Sequence, residues 1–280
     1  MIDVGQGDSC FIITPENKKI LVDGGGSENY EIGENVLKPY LLKEGIIEIN
    51  YIIISHFDSD HVKGILEILD DFKIENIIIP TQFSESENYN KFKEISEKEN
   101  FKIAVVEKGK RIKIEEEIFI DILWPDSNNI INENSINNNS IVCKLRYKNF
   151  GMLFTGDIEE VAEKKIVELY QSTDVLKSTV LKVGHHGSKS SSVQSFLELV
   201  TPKIALIGVG ENNKFGHPNQ GVLDRLEKMK VKILRTDING EIALRVRFET
   251  TVNIEVWSVL SIVDKFQTKI GRKKTVFRVK

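Results

Sequence analysis

Histidine is scarce in this sequence of 280 residues. There are five: His56, His61, His185, His186 and His217. Cysteine is scarcer still, and both copies, Cys10 and Cys143, fall in apolar, strand-like runs. Two cysteines so placed read as small buried hydrophobes in a reducing compartment and exclude a disulfide-stapled scaffold. No uninterrupted apolar run is long enough to span a bilayer. The chain opens with Asp3 and Asp8 rather than a basic stretch, so no signal peptide is expected and a cytoplasmic location is the default. Neither sign of charge dominates, because 38 Lys and Arg oppose 42 Asp and Glu for a net −4. The imbalance is local. Residues 263–280 hold seven Lys or Arg and one Asp, a local +6 that leaves about −10 on the remainder by subtraction.

What is present is concentrated in one stretch, Ser55-His56-Phe57-Asp58-Ser59-Asp60-His61. It follows Tyr51-Ile52-Ile53-Ile54, a short β-branched run that reads as a buried strand. It precedes apolar residues at helical spacing over 62–69. The stretch therefore lies at the C-terminal end of a strand, in the loop that opens a helix, where α/β proteins commonly place their sites. Two carboxylates and two imidazoles crowded there are costly unless cations neutralise them. A lone Asp-x-Asp would read as a helix cap; with a histidine at each end, metal binding is the better reading.

The length allows one large domain or two small ones, with enough apolar residue for a sizeable core. Strands are expected at 10–13 and 20–22 around a Pro15-Glu16-Asn17 turn, and a helix over about 31–44. A strand at 77–79 and an exposed helix over 84–99 follow. Further strands fall near 103–106, 111–114, 117–123, 141–147 and 151–155, with an Asn-rich loop at 126–139. Helices near 158–170, 192–199 and 220–229 alternate with strands at 180–183, 204–207, 231–235 and 241–257. All five histidines, and Asp157 with them, lie just after predicted strands. Such convergence of titratable groups on one sheet edge points to a dinuclear metal site.

The order of these motifs resembles the metallo-β-lactamase superfamily: Asp23 after a strand, His56-x-Asp58-x-Asp60-His61, Gly156-Asp157, His185-His186-Gly187-Ser188, then Gly216-His217-Pro218. Asp3-Val4-Gly5-Gln6-Gly7-Asp8, Asp58, Asn137-Asn138-Asn139-Ser140 and Lys182-Val183-Gly184 before the histidine pair are similar to the ComEC-like hydrolase domain of competence DNA-uptake proteins. Phosphorylcholine esterases share the motif set. The likeness runs from residue 2 to about 257. It implies a four-layered αββα sandwich of mixed α/β class, with metals at the edge between two sheets. A hydrolase domain over 1–258 and a basic tail over 259–280 are expected. The transmembrane channel of the competence proteins has no counterpart in these residues, so DNA transport is not carried over. Two departures from the common superfamily pattern stand out. Asp58 replaces a histidine, and the histidine expected before Asp157 gives way to Asn137 to Ser140.

The resemblance implies that His56, Asp58 and His185 hold one metal and that Asp60, His61 and His217 hold the other. Asp157 and a hydroxide bridge them, and Asp23 orients a ligating histidine from behind. Adjacent residues leaving a strand point opposite ways, so only one of His185 and His186 is expected to reach the metal left short. His185 is taken as the ligand and His186 as the acid or substrate contact, so Asp60 and His186 are the expected catalytic residues. Ser188 and Lys189 lie before a helix whose N-terminus attracts anions, and with Asn137 they are the expected substrate contacts. Lys182, Asp8 and Gln6 are weaker candidates. Oxygen-rich ligation makes Mn²⁺ a competitor to Zn²⁺. The expected activity is that of a metal-dependent phosphodiesterase or nuclease, with nucleic acid reached through the basic tail. Hydrolysis of a small phosphodiester, lactone or thioester is the second expectation. A non-catalytic module that keeps its metals for structure or docking is the third.

Overall fold

Apolar residues on both faces of the same strands decide the architecture. In the computed structural model, residues 1–82, 84–99, 101–248, 252–264 and 267–279 are described, with side chains up to residue 258. One sheet has the order β1-β2-β3-β4-β5: β1 (Cys10–Ile13), β2 (Lys19–Val22), β3 (Glu48–Ile53), β4 (Lys73–Pro80) and β5 (Lys102–Val106). Only the β1/β2 pair is antiparallel. The second sheet has the order β12-β11-β10-β9-β8-β7-β6. It contains β6 (Arg111–Glu115), β7 (Ile118–Trp124), β8 (Val142–Tyr147), β9 (Phe150–Phe154), β10 (Val180–Lys182), β11 (Ile204–Ile207) and β12 (Lys232–Arg235). Strands β9 to β12 are parallel and β6 to β9 antiparallel.

Alternation along each strand fills three cores. Ile20, Val22, Ile53 and Ile78 of the first sheet meet Ile120, Cys143, Met152 and Leu206 of the second in a shared central core. Leu21, Ile52, Ile54 and Ile77 point the other way, onto α1 (Lys38–Lys43), α2 (Ser59–Ile68) and α3 (Glu87–Glu99). Leu181, Ala205 and Ile207 do the same on the far side, against α5 (Glu160–Tyr170), α6 (Gln194–Val200) and α7 (Gln220–Lys228). Burial on both faces is what near-continuous apolar strands require. The result is the expected four-layered αββα sandwich. Cys10 and Cys143 are buried free thiols, as expected. Burial pushes the Cys10 thiol up to about 11 and raises the Cys143 thiol further still.

Three segments differ from expectation. The Asn-rich stretch contains a short helix, α4 (Ser135–Asn138), held where the Trp124 indole donates to the Asn138 carbonyl at 2.8 Å. The Asn139 amide donates to Ile131 and Ser135 carbonyls, so asparagine side chains supply what a regular element would. The stretch at 241–257, read as one strand region, holds β13 (Glu241–Phe248) and the start of β14 (Val252–Asp264), with a short α8 (Thr236–Asn239) before them. The basic segment, expected as a tail, forms β15 (Gln267–Val279) antiparallel to β14, and β14 itself crosses the expected boundary at 258/259. Thr275-Val276-Phe277-Arg278-Val279 has strand propensity, and β14 offers its main chain. Phe266 lies outside the described residues. Among the described residues no helix is long and apolar enough to cross a membrane.

The site-bearing helix is set by close backbone contact. Gly24 N–H donates to the His61 carbonyl at 2.7 Å and Gly64 N–H to the Gly25 carbonyl at 2.9 Å, so α2 lies directly on the loop after β2. A Cβ at Gly64 would land on the Gly24 carbonyl. Gly64→Ala is expected to cost about 1–3 kcal/mol, the usual range for overpacking. It should also shift Asp60 and His61 enough to lower metal retention. Chemical denaturation with parallel elemental analysis checks both, and unchanged metal content would remove the link between this contact and the centre.

Candidate metal centre

Five strand ends converge at one edge of the sandwich. Asp23 follows β2, His56 to His61 follow β3, Asp157 follows β9, His185 and His186 follow β10, and Gly208 follows β11. The middle of the cluster is Asp157, which is 2% exposed. Its Oδ1 lies 3.1 Å from His61 Nε2 and its Oδ2 lies 3.3 Å from His186 Nε2. Asp60 Oδ2 is 3.1 Å from the same His186 nitrogen.

Each buried imidazole is held from behind. His61 Nδ1 is 3.0 Å from Asp23 Oδ2, and the other Asp23 oxygen accepts from the Ser55 amide at 2.8 Å. His186 Nδ1 lies 2.8 Å from the Gly208 carbonyl, and His56 Nδ1 lies 2.9 Å from the Ser55 hydroxyl. In all three, Nδ1 is engaged and Nε2 is presented to the centre, the arrangement that ligating histidines use. His61 Nε2 and His186 Nε2 face one another at 3.4 Å. His56 Nε2 is buried with no hydrogen-bond partner among the described residues. Buried polar atoms are normally satisfied, so this orphan fits a centre built for a cation. Asp8, His61, Asp157 and His186 offer ligand atoms that all lie within 4.8 Å of one another.

The electrostatics agree. Burial lowers the His186 pKa, but Asp157 and Asp8 outweigh it and raise it to about 10. Burial likewise opposes charge on His61, and Asp157 and Asp23 again prevail, leaving it well above its ordinary value. Burial would raise Asp157, yet His186 and His61 hold it well below the carboxylate range. His56 moves the other way, to about 3, because burial and the neighbouring His61 both disfavour its cation. Without an ion, protons on His61 and His186 balance the carboxylates; the same field attracts a divalent cation.

A family model described as the metallo-beta-lactamase superfamily matches residues 3–211. The chain belongs to the metallo-β-lactamase superfamily. Over 258 residues it is 33% identical to ComE operon protein 3 of Bacillus subtilis, spanning 88% of this chain and 32% of that protein. Recombination protein 2 of Haemophilus influenzae is 31% identical over 248 residues, 88% of this chain and 28% of the relative. The chain thus spans about a third of the length of these curated relatives. CmlA of Streptomyces venezuelae, a diiron β-hydroxylase, shares the fold with a TM-score of 0.50 at 10% identity, covering 82% of this chain and 53% of that one.

The structure brings His61, Asp60, Asp157 and Asp23 together in one cluster with His186. His56 borders them with its ring centroid 4.1 Å from that of His61, and Asp58, part exposed, lies 3.8 Å from His56 Nε2. Burial and the adjacent Asp60 raise the Asp58 pKa. The histidine pair is exchanged relative to expectation. His186 is the buried partner of Asp157, while His185 is at the rim, 4.0 Å from Asp157 Oδ2 and 3.3 Å from Glu159. Strand alternation fails here because both residues adopt left-handed conformations, φ 47° and 52°, in a tight turn over Gly184–Gly187. His217 also sits at the rim, its ring 5.7 Å from His185 and 6.2 Å from His186, and burial lowers its pKa to about 4.

The three expected substrate contacts diverge. Asn137 is buried with an Oδ1 that has no partner among the described residues, Ser188 is buried against the Ser190 hydroxyl, and Lys189 is exposed. The amides ahead of α6 are already taken: Ser192 and Val193 donate to the Glu163 carboxylate at 2.6 and 2.7 Å. Two further residues belong to the centre, Lys182 and Asp8. Lys182 is buried, forms an ion pair with Asp8, lies 3.6 Å from Asp157 Oδ1 and donates to the Gly156 carbonyl at 3.0 Å. Lys182, a weaker candidate in the sequence, is therefore buried within the cluster rather than solvated. The signal was present, since Asp8 closes a Gly-rich turn and Lys182 ends an apolar run shortly before the histidine pair.

His186→Ala is expected to lose at least half of the bound metal, and His185→Ala to keep most of it. Asp23→Ala should weaken metal affinity by about 10–100-fold, the usual effect of removing a partner behind a ligating histidine. Elemental analysis after equilibrium dialysis separates these outcomes, and equal retention in both histidine variants would overturn the exchanged roles.

Proposed function

We propose that this domain is a metal-dependent phosphodiesterase acting on nucleic acid. The observation that carries the reading is the buried carboxylate Asp157, with His61 at one oxygen and His186, itself paired with Asp60, at the other, while His56, packed against His61, has an Nε2 with no hydrogen-bond partner among the described residues. Asp60, His61, Asp157 and His186 would hold one ion; His56 and Asp58, with Asp157 and His185 nearby, would hold a second. Divalent ions, Zn²⁺ or Mn²⁺, supply Lewis acidity toward a phosphoryl oxygen and make water a stronger acid. The chain's own residues do the rest. Asp23, Ser55 and Gly208 fix the imidazole orientations, and Lys182 fixes Asp8 and the Gly156 loop that carries Asp157. His185 and His217 stand at the rim, within reach of a substrate oxygen. The relatives' names, an operon protein of the ComE group and a recombination protein, favour DNA as the substrate class.

The +6 of residues 263–280 supports backbone contact with nucleic acid. Because Gln267–Val279 pairs with β14, deleting it would bare a sheet edge, and neutralising charges is the cleaner test. Purified protein is to be assayed with Zn²⁺ and with Mn²⁺ on single-stranded DNA, duplex DNA, RNA and a chromogenic small phosphodiester. Metal-dependent cleavage of nucleic acid, abolished in Asp157→Ala, is the expected result. Lys273→Gln with Lys274→Gln should leave the small substrate unaffected. The pair should also reduce the slope of log affinity for DNA against log salt by about 0.7–0.9 for each phosphate no longer neutralised. Turnover of the small diester alone would overturn the nucleic-acid reading.

A further inference from the structure

The strands that carry the metal centre have a second concave site at their other ends. The centre stands where β9, β10 and β11 end, and a cavity of about 290 Å³ opens where the same strands begin. Gly151 at that end and Asp157 at the other are six residues apart along β9 and the loop after it, about 20 Å at the rise of an extended chain. Thr179 N–H donates to the Gly151 carbonyl at 2.8 Å, and Lys203 N–H donates to the Thr179 carbonyl at 2.9 Å. The three strand starts are thereby tied side by side.

The charge of this cavity has one sign. Lys144, Arg146, Lys148, Lys177 and Lys203 line it, with no carboxylate among its lining residues. Cys143 and Leu145 turn into the central core, so Lys144 and Arg146 face outward by period-two alternation. Gly151 leaves room for the Lys144 stem, since a Cβ there would meet Lys144 Cε at 2.8 Å. The Lys144 ammonium donates to the Val175 carbonyl at 2.9 Å and to the Lys177 carbonyl, and burial and Arg146 together lower its pKa. Three acids reach in from outside the lining: Asp121 to Arg146 at 3.3 Å, Glu117 to Lys148 at 3.2 Å and Asp174 to Lys177 at 2.8 Å. The cations of these pairs are exposed, and exposed pairs hold weakly. Lys144 and Lys203 have no carboxylate partner among the described residues. A concave surface of one sign focuses the field and concentrates counter-ions.

Uncharged donors share the wall, namely the hydroxyls of Thr179 and Thr201 and the Asn149 amide. Two lining residues are held where glycine or asparagine is usual. Lys148 sits at φ 53° in the two-residue turn between β8 and β9, and the β-branched Thr201 sits at φ 47° just after α6. Backbone strain of this kind concentrates at ligand-holding positions. Cations and O–H donors converging from separate chain segments match the oxygens of a phosphate, which only accept. The volume is near the lower end for small-molecule sites, about 300 Å³, which suits a single nucleotide unit.

We propose that this cavity is a second anion site, which binds the phosphate of one nucleotide unit, free or within a polynucleotide strand, at the edge of the fold opposite the metals. Lys203 and Lys144 supply charge that no carboxylate answers, and Thr179 and Thr201 donate hydroxyls. A phosphate held here is about 20 Å from the metals, so the site anchors its ligand and does not cut it. The inference does not rest on the catalytic reading, since no lining residue belongs to the metal centre.

The test titrates the full chain carrying Asp157→Ala by calorimetry, so that hydrolysis does not enter the result. The probes are dAMP, deoxyadenosine without its phosphate, and single-stranded oligodeoxyadenylate of about 12 nucleotides, within the usual range of single-strand site sizes. Lys203→Glu reverses an exposed charge in the cavity, and Lys91→Glu makes the same change on α3, outside it. Lys203→Glu should weaken binding of a phosphate-bearing probe by about tenfold or more, the usual scale for a hydrogen bond to a charged group, while Lys91→Glu leaves it nearly unchanged. Thr201→Gly, which relieves the left-handed strain and removes the hydroxyl, should raise the thermal midpoint and weaken binding as well. Sensitivity to Lys203→Glu with dAMP assigns the site to a free nucleotide, and sensitivity with the oligonucleotide alone assigns it to a strand. Equal affinity of Lys203→Glu and Lys91→Glu for both phosphate-bearing probes overturns the proposal. So does deoxyadenosine binding as tightly as dAMP, because the cavity would then not read phosphate.

Discussion

The structure depends on balancing charge that has been taken out of water at one sheet edge. Asp8, Asp23, Asp157, His56, His61, His186 and Lys182 are all nearly inaccessible. An isolated buried ion costs several kcal/mol even after relaxation, so no member of this group is tolerable alone. Lys182 answers Asp8, Asp23 and Asp157 answer His61, and Asp157 and Asp60 answer His186. One buried atom of the group, His56 Nε2, still has no hydrogen-bond partner among the described residues. The cluster therefore has the electrostatic shape of a receptor for cations rather than of a closed salt-bridge network.

That demand propagates outward. Imidazole nitrogens aim at the centre only because Asp23, Ser55 and Gly208 occupy their other nitrogens. Asp23 reaches His61 because it sits at φ 56° after β2, and α2 lies on the glycine loop that follows. Glycine is required there by contact, since a Cβ at Gly24 or Gly64 would overlap the facing chain. The two packed sheets supply the rigid frame. Their shared core fixes the spacing between strand ends that carry Asp23 and His56 and those that carry Asp157 and His186.

Much of this was legible along the chain. The β-branched runs alternate between two cores, and the spacing of His56, Asp58, Asp60 and His61 places four donors in one loop. The position of Asp157 and the histidine pair after strands could be read directly. Lys182 was legible only as a weaker candidate because a lysine beside an apolar run looks the same whether its partner is water or a distant carboxylate. Its partner, Asp8, is 174 residues away in sequence. The basic end segment, which pairs with β14, was expected as a tail for a related reason: a stretch carrying Lys269, Lys273 and Lys274 has no visible strand partner until β14 is folded against it.

By itself, the sequence determined a mixed α/β sandwich, the strand ends that carry chemistry, and the residue types that make a cation the natural occupant. Those properties follow from local pattern, from side-chain chemistry and from burial period, all of which act over a few residues. Only the tertiary structure decided which of His185 and His186 turns inward, that Lys182 and Asp8 join the centre, and that Glu163 takes the amides ahead of α6. Each of these depends on groups brought together from distant parts of the chain, or on a backbone turn that departs from strand alternation. Their energies exist only once the two sheets have closed on one another.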